Sequence, residues 1–404
     1  FRCFLLVAFV INILLLFQPP YLPPLPSLRE VLRIYGLRAQ KQLSQNFLLQ
    51  PASLNGFVKR AGSLRNAYVL EVGPGPGGLT RAILACQPKH LVVVELDRRF
   101  IPSLEELRMA ASEMGIKMDI YRQDILKFNA DGIFPPEARM TTEAWGTYSE
   151  KTSQCDSWDC NLDASTAALV PTHTPRVRVL GNLPFNISTA LTVQWLHDMA
   201  ERRGLWRYGR VPLTLTFQKE VGQRLAADVW HEQRSRLSVM AQAYCEVKYL
   251  QDIPGTAFLP KPKVDAALVR LTPLAQPIIP VPFPYVEKVV RNAFQFRNKH
   301  VVRGLEALFP SDRPDLVIQL FKEAGVIPSK RPTQLTLLEF RDLCFVYQRI
   351  CSVERELFDF NHLVPKNLPL WNRRKQIQRE ILGTDEALTA DYVQREINRT
   401  RINQ

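Results

Sequence analysis

The chain has 404 residues, a formal net charge of +13 and 46% hydrophobic against 23% charged residues, a globular balance that excludes a disordered protein. Its seven cysteines, scattered from Cys3 to Cys351, exclude a secreted disulfide framework, and the one close pair, Cys155 and Cys160, lacks the matching His or second Cys pair of a zinc site. The basic excess calls for a polyanionic partner, nucleic acid or an anionic membrane surface, and charge alone does not choose between them.

The chain opens FRCFLLVAFVINILLLFQPP, without an initiator Met, and the 15 residues from Cys3 to Phe17 carry no charge. That run is short for a spanning helix and closer to a signal-peptide core, and it lacks the Arg-rich amphipathic pattern of a mitochondrial transit peptide. Three readings stay open: a targeting or anchor segment, an uncertain chain start, or a buried helix. Pro19 to Pro26 predicts a stiff linker, so residues 1–26 form an apolar segment followed by a Pro-rich stretch. From the cap Ser27, the residues Leu28, Val31, Leu32, Ile34 and Tyr35 have helical spacing. Short β-rich runs follow at 68–72, 91–95, 118–124 and 177–182, alternating with helical patterns, and further strands are predicted at 211–218 and 244–252. Such alternation predicts parallel βαβ units with helices on both faces of a sheet. Between Asp131 and Arg176 periodicity disappears, and a loop of that length is expected to be mostly disordered. After Pro273 a Pro-rich hinge leads into helical patterns at 285–297, 299–309, 314–324 and 334–350. The expected fold class is therefore α/β, with a catalytic domain over 27–273, a small all-α C-terminal domain over 274–360 and a charged tail over 361–404.

The 68–72 strand runs straight into Gly73-Pro74-Gly75-Pro76-Gly77-Gly78. Glycine is needed where backbone passes close to a ligand or takes positive φ, and the following helix start adds exposed N–H groups. Glu95 ends the next strand, where a carboxylate can accept both hydroxyls of a ribose. Asp124 ends the third, placed to accept from an adenine amino group. Prolines at 74 and 76 replace the usual helix-starting residues of a dinucleotide loop, which argues for a smaller adenosine-containing cofactor such as S-adenosylmethionine. The fourth strand ends in Asn182-Leu183-Pro184-Phe185. There the amide oxygen of Asn182 and the carbonyl of Leu183 can accept both hydrogens of an exocyclic amine, while Phe185 stacks on its base. A methyl leaving a sulfonium leaves a neutral thioether behind, so no strong general base is required. A strand end with an Asn-Pro turn is the bland alternative. The glycine loop, strand-end Glu and strand-end Asp that precede it in the chain favour the catalytic one. The sequon at Asn186-Ile187-Ser188 lies inside this segment, which argues against a secreted, glycosylated chain.

Four ordered motifs, Gln42-Leu43-Ser44-Gln45-Asn46-Phe47-Leu48, Glu71-Val72-Gly73-Pro74-Gly75-Pro76-Gly77, Asn182-Leu183-Pro184-Phe185 and Phe258-Leu259-Pro260-Lys261-Pro262-Lys263-Val264-Asp265, resemble the rRNA adenine N6,N6-dimethyltransferase family, in particular its animal mitochondrial branch. The resemblance spans roughly residues 22–358. It implies a Rossmann-like S-adenosylmethionine-dependent methyltransferase domain and a helical domain that helps hold an rRNA hairpin. It also implies dimethylation of two adjacent adenosines near the 3′ end of mitochondrial small-subunit rRNA, with the assembling small ribosomal subunit as partner and a monomeric protein. By motif match, Asn46 and Leu48 contact the methionine part of the cofactor, and Gly73 and Gly75 lie beneath it. Glu95 holds the ribose, Leu96 and Ile125 belong beside the adenine, and Asp124 binds its amine. Asn182, with Leu183 and Pro184, serves both cofactor and target amine. Phe258 stacks on the target base opposite Phe185, unless it is a core aromatic before a proline turn. No metal is implied.

A competing class is a non-catalytic nucleic-acid-binding factor on the same fold, bound to the mitochondrial transcription machinery, and the presence of Asn182, Phe185 and Glu95 argues against it. DNA adenine methylation is disfavoured because that class carries Asp at the first motif position. Three features depart from the family pattern: Gln123 in place of a usual Gly, the long 131–176 insertion, and the N-terminal apolar run. Candidate RNA contacts are Arg202, Arg203, Arg207, Arg210 and Lys219, and Arg291, Arg297, Lys299 and Arg303 around Phe294 and Phe296. The same residues would equally serve as a solvated face and core aromatics. The six histidines show no metal-ligand spacing.

Overall fold

The computed structural model describes residues 26–36, 39, 45–139 and 177–360. The N-terminal apolar run, Gln42 to Ser44, most of the long insertion, the Cys155/Cys160 pair and the charged tail lie outside the described residues. In chain order the first elements are α1 (Leu28–Ile34), β1 (Phe47–Leu48), α2 (Pro51–Arg60), β2 (Tyr68–Val72), α3 (Gly78–Ala85), β3 (His90–Glu95), α4 (Ile101–Glu113) and β4 (Lys117–Arg122). After the insertion come β5 (Val177–Gly181), α5 (Phe185–Ala200), β6 (Leu213–Gln218), α6 (Lys219–Ala226), α7 (Arg236–Tyr244), β7 (Cys245–Ile253), β8 (Phe258–Leu259) and β9 (Ala266–Pro273). Ser27 caps α1 in a reciprocal box with Glu30, as its position predicts.

Seven strands form one sheet in the order β4-β3-β2-β5-β6-β9-β7. The pairs from β4 to β6 are parallel, and β9 runs antiparallel to both neighbours. β9 was not expected from the sequence. It slots between β6 and β7 and extends the sheet by a reversed strand. The chain winds outward from β2 in both directions, so a crevice opens at the carboxyl ends of β2 and β5 where strand order reverses.

Every residue of β2 is buried, because a parallel strand covered on both faces has no solvent side. Tyr68, Leu70 and Val72 pack with Val92, Val94 and Val179 on one face, and Val69 with Leu91, Val93 and Leu180 on the other. The odd one out is Glu71, a carboxyl that is 0% exposed in the middle of this layer.

The C-terminal helices α8 (Phe283–Ala293), α9 (Val302–Leu305), α10 (Pro314–Ala324), α11 (Leu337–Val353) and α12 (Glu356–Asp359) form an all-α unit whose core is continuous with that of the sheet layer. Val290, Leu320, Phe340 and Tyr347 belong to the same apolar cluster as Leu213, Val239 and Tyr244 of the sheet layer. The Pro-rich connection is accordingly a pinned corner rather than a hinge. Ile279 and Val281 are buried, and the N–H groups of Leu274 and Ile278 donate to the carbonyls of Tyr244 and Ala243. The long insertion also starts later than expected. Phe134 is buried edge-on against Tyr68, His90 and Tyr208, and the Tyr208 hydroxyl bonds both its N–H and its carbonyl. Residues 131–139 are thus packed chain, and residues 140–176 lie outside the described residues.

Candidate active site

The crevice at the ends of β2 and β5 encloses about 190 Å³. It is lined by Asn46, Leu48, Gly73, Gly75, Glu95, Leu96, Asp124, Ile125, Asn182, Leu183 and Pro184, so strand ends far apart in sequence meet at one site. Its floor is bare backbone. Gly73 has φ +64°, and a Cβ there would meet only Pro184, at 4.0 Å, so it would stand in the open crevice. Gly75, at φ +56°, donates its N–H to Glu95 Oε2 at 2.9 Å, and the N–H of Asp97 donates to Glu95 Oε1 at 2.8 Å. Two backbone donors therefore fix the Glu95 carboxylate, leaving each oxygen a lone pair for a hydroxyl. Burial pushes the Glu95 carboxyl up from its ordinary value, and those two N–H groups pull partly the other way.

Beyond Glu95 the wall turns apolar. Leu96 is 53% exposed while Ile125 is buried, a pair suited to the two faces of a flat ring. Between them, Asp124 accepts from the Leu126 N–H through Oδ1 at 3.0 Å, and its Oδ2 has no hydrogen bond among the described residues. Gln123, the departure from the family pattern, gives its backbone N–H to the Glu95 carbonyl and its side-chain amide to the Lys127 carbonyl. The strand end keeps its shape without glycine there.

Asn182 is held at both ends of its amide. Nδ2 donates to the Asn46 carbonyl at 2.9 Å, and Oδ1 accepts from the Thr216 hydroxyl at 2.9 Å. A backbone carbonyl can only accept, which settles which amide atom faces which partner. One lone pair of Oδ1 remains for another donor. Thr216 was missed in the sequence. Its signal was a hydroxyl at an inward position near the end of β6, where it is 0% exposed.

The two phenylalanines fall elsewhere than expected. Phe258 is 4% exposed and sits in the apolar cluster with Phe47 and Leu48, because β8 pairs antiparallel with β1. A ring already covered has no face left for a base, which corrects its assignment as a stacking residue. Phe185 is half-buried against the same cluster and is not among the residues that line the crevice. The β1–β8 pair instead supplies a roof, extended by the Leu49 N–H bonding the Ala257 carbonyl at 3.0 Å.

Behind the floor, neither carboxyl oxygen of Glu71 makes a hydrogen bond of normal geometry among the described residues, and the Thr80 hydroxyl lies nearby. Burial pushes Glu71 up to about 8, with the Thr80 groups nearby lowering it and the Glu95 charge raising it. The folded chain therefore holds a proton there between the ordinary carboxyl value of 4.5 and about 8, where the unfolded chain does not. Stability is highest below that window and falls as pH rises through it. Glu71→Gln should remove most of this slope, on the order of a few kcal/mol between pH 5 and 8.5. Urea unfolding at several pH values checks it, and a variant with the wild-type slope would show that Glu71 is ionised in the fold.

The floor, ribose clamp, apolar slot and amine acceptor fit S-adenosylmethionine. The family described as ribosomal RNA adenine dimethylase matches residues 36–340 of this chain. The chain belongs to that family. It is similar to mitochondrial dimethyladenosine transferase 1 of Xenopus laevis, 46% identical over 342 residues, which are 84% of this chain and 90% of the relative. The human protein of that name is 45% identical over 341 residues with the same shares, and that of Drosophila melanogaster 41% over 349 residues, 86% and 95%. The crystal structure of a dimethyladenosine transferase from Plasmodium falciparum shares the fold, at 19% identity and a TM-score of 0.52, covering 74% of this chain and 96% of the other. As a member of the family, the chain is an S-adenosylmethionine-dependent rRNA adenine dimethyltransferase, and its relatives place it in mitochondria.

Proposed function

We propose that this enzyme, as a monomer, dimethylates N6 of two adjacent adenosines in a hairpin loop near the 3′ end of mitochondrial small-subunit rRNA during small-subunit assembly. The observation that carries the reading is the Asn182 amide, clamped by Asn46 and Thr216 beside the cofactor crevice with one acceptor site left over. When bound, S-adenosylmethionine supplies an electrophilic methyl group. The chain's own residues do the rest. Glu95 and Asp124 orient the cofactor's sugar and base, and the roof over 47–49 excludes water. Asn182 Oδ1 and the Leu183 carbonyl accept the N–H hydrogens of the target amine and draw its lone pair out of conjugation with the ring. The methylated nitrogen sheds its proton to water, so positioning and electrostatics carry the catalysis. A loop adenosine suits such a site because leaving the stack costs it least.

Radiolabelled methyl transfer from S-adenosylmethionine to a synthetic hairpin with adjacent loop adenosines tests this. Two methyls on each adenosine are expected. Absence of transfer both to the hairpin and to isolated small-subunit particles would overturn the assignment of substrate.

A further inference from the structure

Trp230 breaks the rule that large rings are covered. It is 69% exposed, whereas Trp195 and Trp206 are 5% and 1% exposed. Its backbone has φ +71°, a left-handed conformation that a bulky side chain adopts only when its surroundings impose it. The surroundings are rigid. The Trp230 N–H donates to the Thr333 carbonyl at 2.9 Å, and the turn closes through His231 N–H to Asp228 and Arg234 N–H to His231. Next in the turn, the buried Arg234 guanidinium bonds the carbonyls of Ala227 and Leu335 at 3.1 and 3.3 Å. The ring is thus displayed on a turn bolted at two points to the 333–335 segment.

That segment carries charge. The Val301 N–H donates to the Lys330 carbonyl at 2.7 Å, which lays residues 296–303 alongside residues 330–333. Phe296 is 46% exposed there. Arg297, Lys299 and Arg331 form no ion pair among the described residues, while Lys330 pairs with Glu339 and Arg303 with Glu306. The acids of the turn itself are Asp228, whose charge acts on Arg234, and the exposed Glu232. A bare aromatic ring on a turn tied to the segment that carries these cations suits a nucleotide: stacking takes the base and the cations take neighbouring phosphates. An apolar protein partner would leave those cations uncompensated.

We propose that Trp230 is a stacking platform for an unpaired nucleotide of the substrate RNA outside the target adenosines, with Arg297, Lys299 and Arg331 neutralising the neighbouring phosphates. The proposal rests on the RNA-substrate reading above and adds a second point of grip, remote in sequence from the Asn182 strand.

The test measures binding of the full chain to two synthetic RNAs, the loop hairpin with single-stranded flanks and a fully paired duplex of equal length. Trp230→Ala should bind the flanked hairpin about 5- to 100-fold more weakly. It should bind the duplex as wild type does, since paired bases offer no face to stack on. Trp230→Phe should retain most of the affinity. Trp230→Gly removes the ring and also relieves the left-handed backbone, so it should fold at least as well as wild type and still lose affinity. Cofactor binding by calorimetry should be unchanged in all three. Wild-type grip on the hairpin with Trp230→Ala and Trp230→Gly equally tight would overturn the platform alone. Wild-type protein that binds neither these RNAs nor isolated small-subunit particles would overturn the substrate reading and the platform with it.

Discussion

Asn182→Ala is expected to slow methyl transfer by roughly 100- to 1000-fold, the scale for removing one preorganised polar group at a reacting atom. Cofactor affinity should fall less, by about tenfold at most, because the lost Nδ2 contact to the Asn46 carbonyl is a single neutral hydrogen bond. Thr216→Val separates the two jobs. It leaves the amide in place and removes only the hydroxyl that fixes Oδ1, so the rate should drop by about tenfold with cofactor affinity intact. Single-turnover methyl transfer and cofactor calorimetry read the split. If Asn182→Ala transfers methyl within threefold of wild type, the amine is held by some other group.

Gly75→Val should abolish useful cofactor binding. At φ +56° a β-branched residue is strained by about 1–2 kcal/mol or more. Its Cβ would also lie 3.3 Å and 3.4 Å from ring atoms of Phe47, a contact the roof can relieve only by lifting. Overpacking of that kind costs about 1–3 kcal/mol. Displacing Gly75 also takes away one of the two N–H donors that fix Glu95. Together these amount to a loss of affinity of about 100-fold or more, read by calorimetry alongside a far-ultraviolet spectrum that shows the fold intact. A variant that binds cofactor as tightly as wild type would mean the glycine loop is not its floor.

The grouping of Gly73, Gly75, Glu95, Asp124 and Asn182 around one crevice was legible because they stand at strand ends. A short apolar run stopping at Gly73, Glu95 or Asp124 announces both the strand and the side of the sheet on which its last residue emerges, with no knowledge of distant partners. Phe258 was harder. It stands in a Pro- and Lys-rich motif that looks like a recognition loop, and only its pairing with Leu48 reveals that the ring is roofed over. β9 was hidden for a related reason, since AALVRLTP follows that motif with no turn signal to set it off. The C-terminal helices were found from their periodicity, yet periodicity describes one face of one element. It could not show that Val290 and Tyr347 share a core with the sheet. Glu71 and Thr216 were passed over because a polar residue inside a strand pattern reads as an outward position, and here both point inward.

The roof has a consequence for how the protein is made. β1 and β8 are partners about 210 residues apart, so the glycine loop, Glu95 and Asn182 all emerge from the ribosome well before the segment that covers them. A nascent chain ending anywhere short of Leu259 holds an open crevice and an unpaired Phe47–Leu48, and it must wait for residues 258–259 to close over a ligand. Cofactor therefore stabilises only chains made past Leu259, and its concentration in the organelle sets how firmly a newly made molecule is held in its folded state, not how readily folding begins.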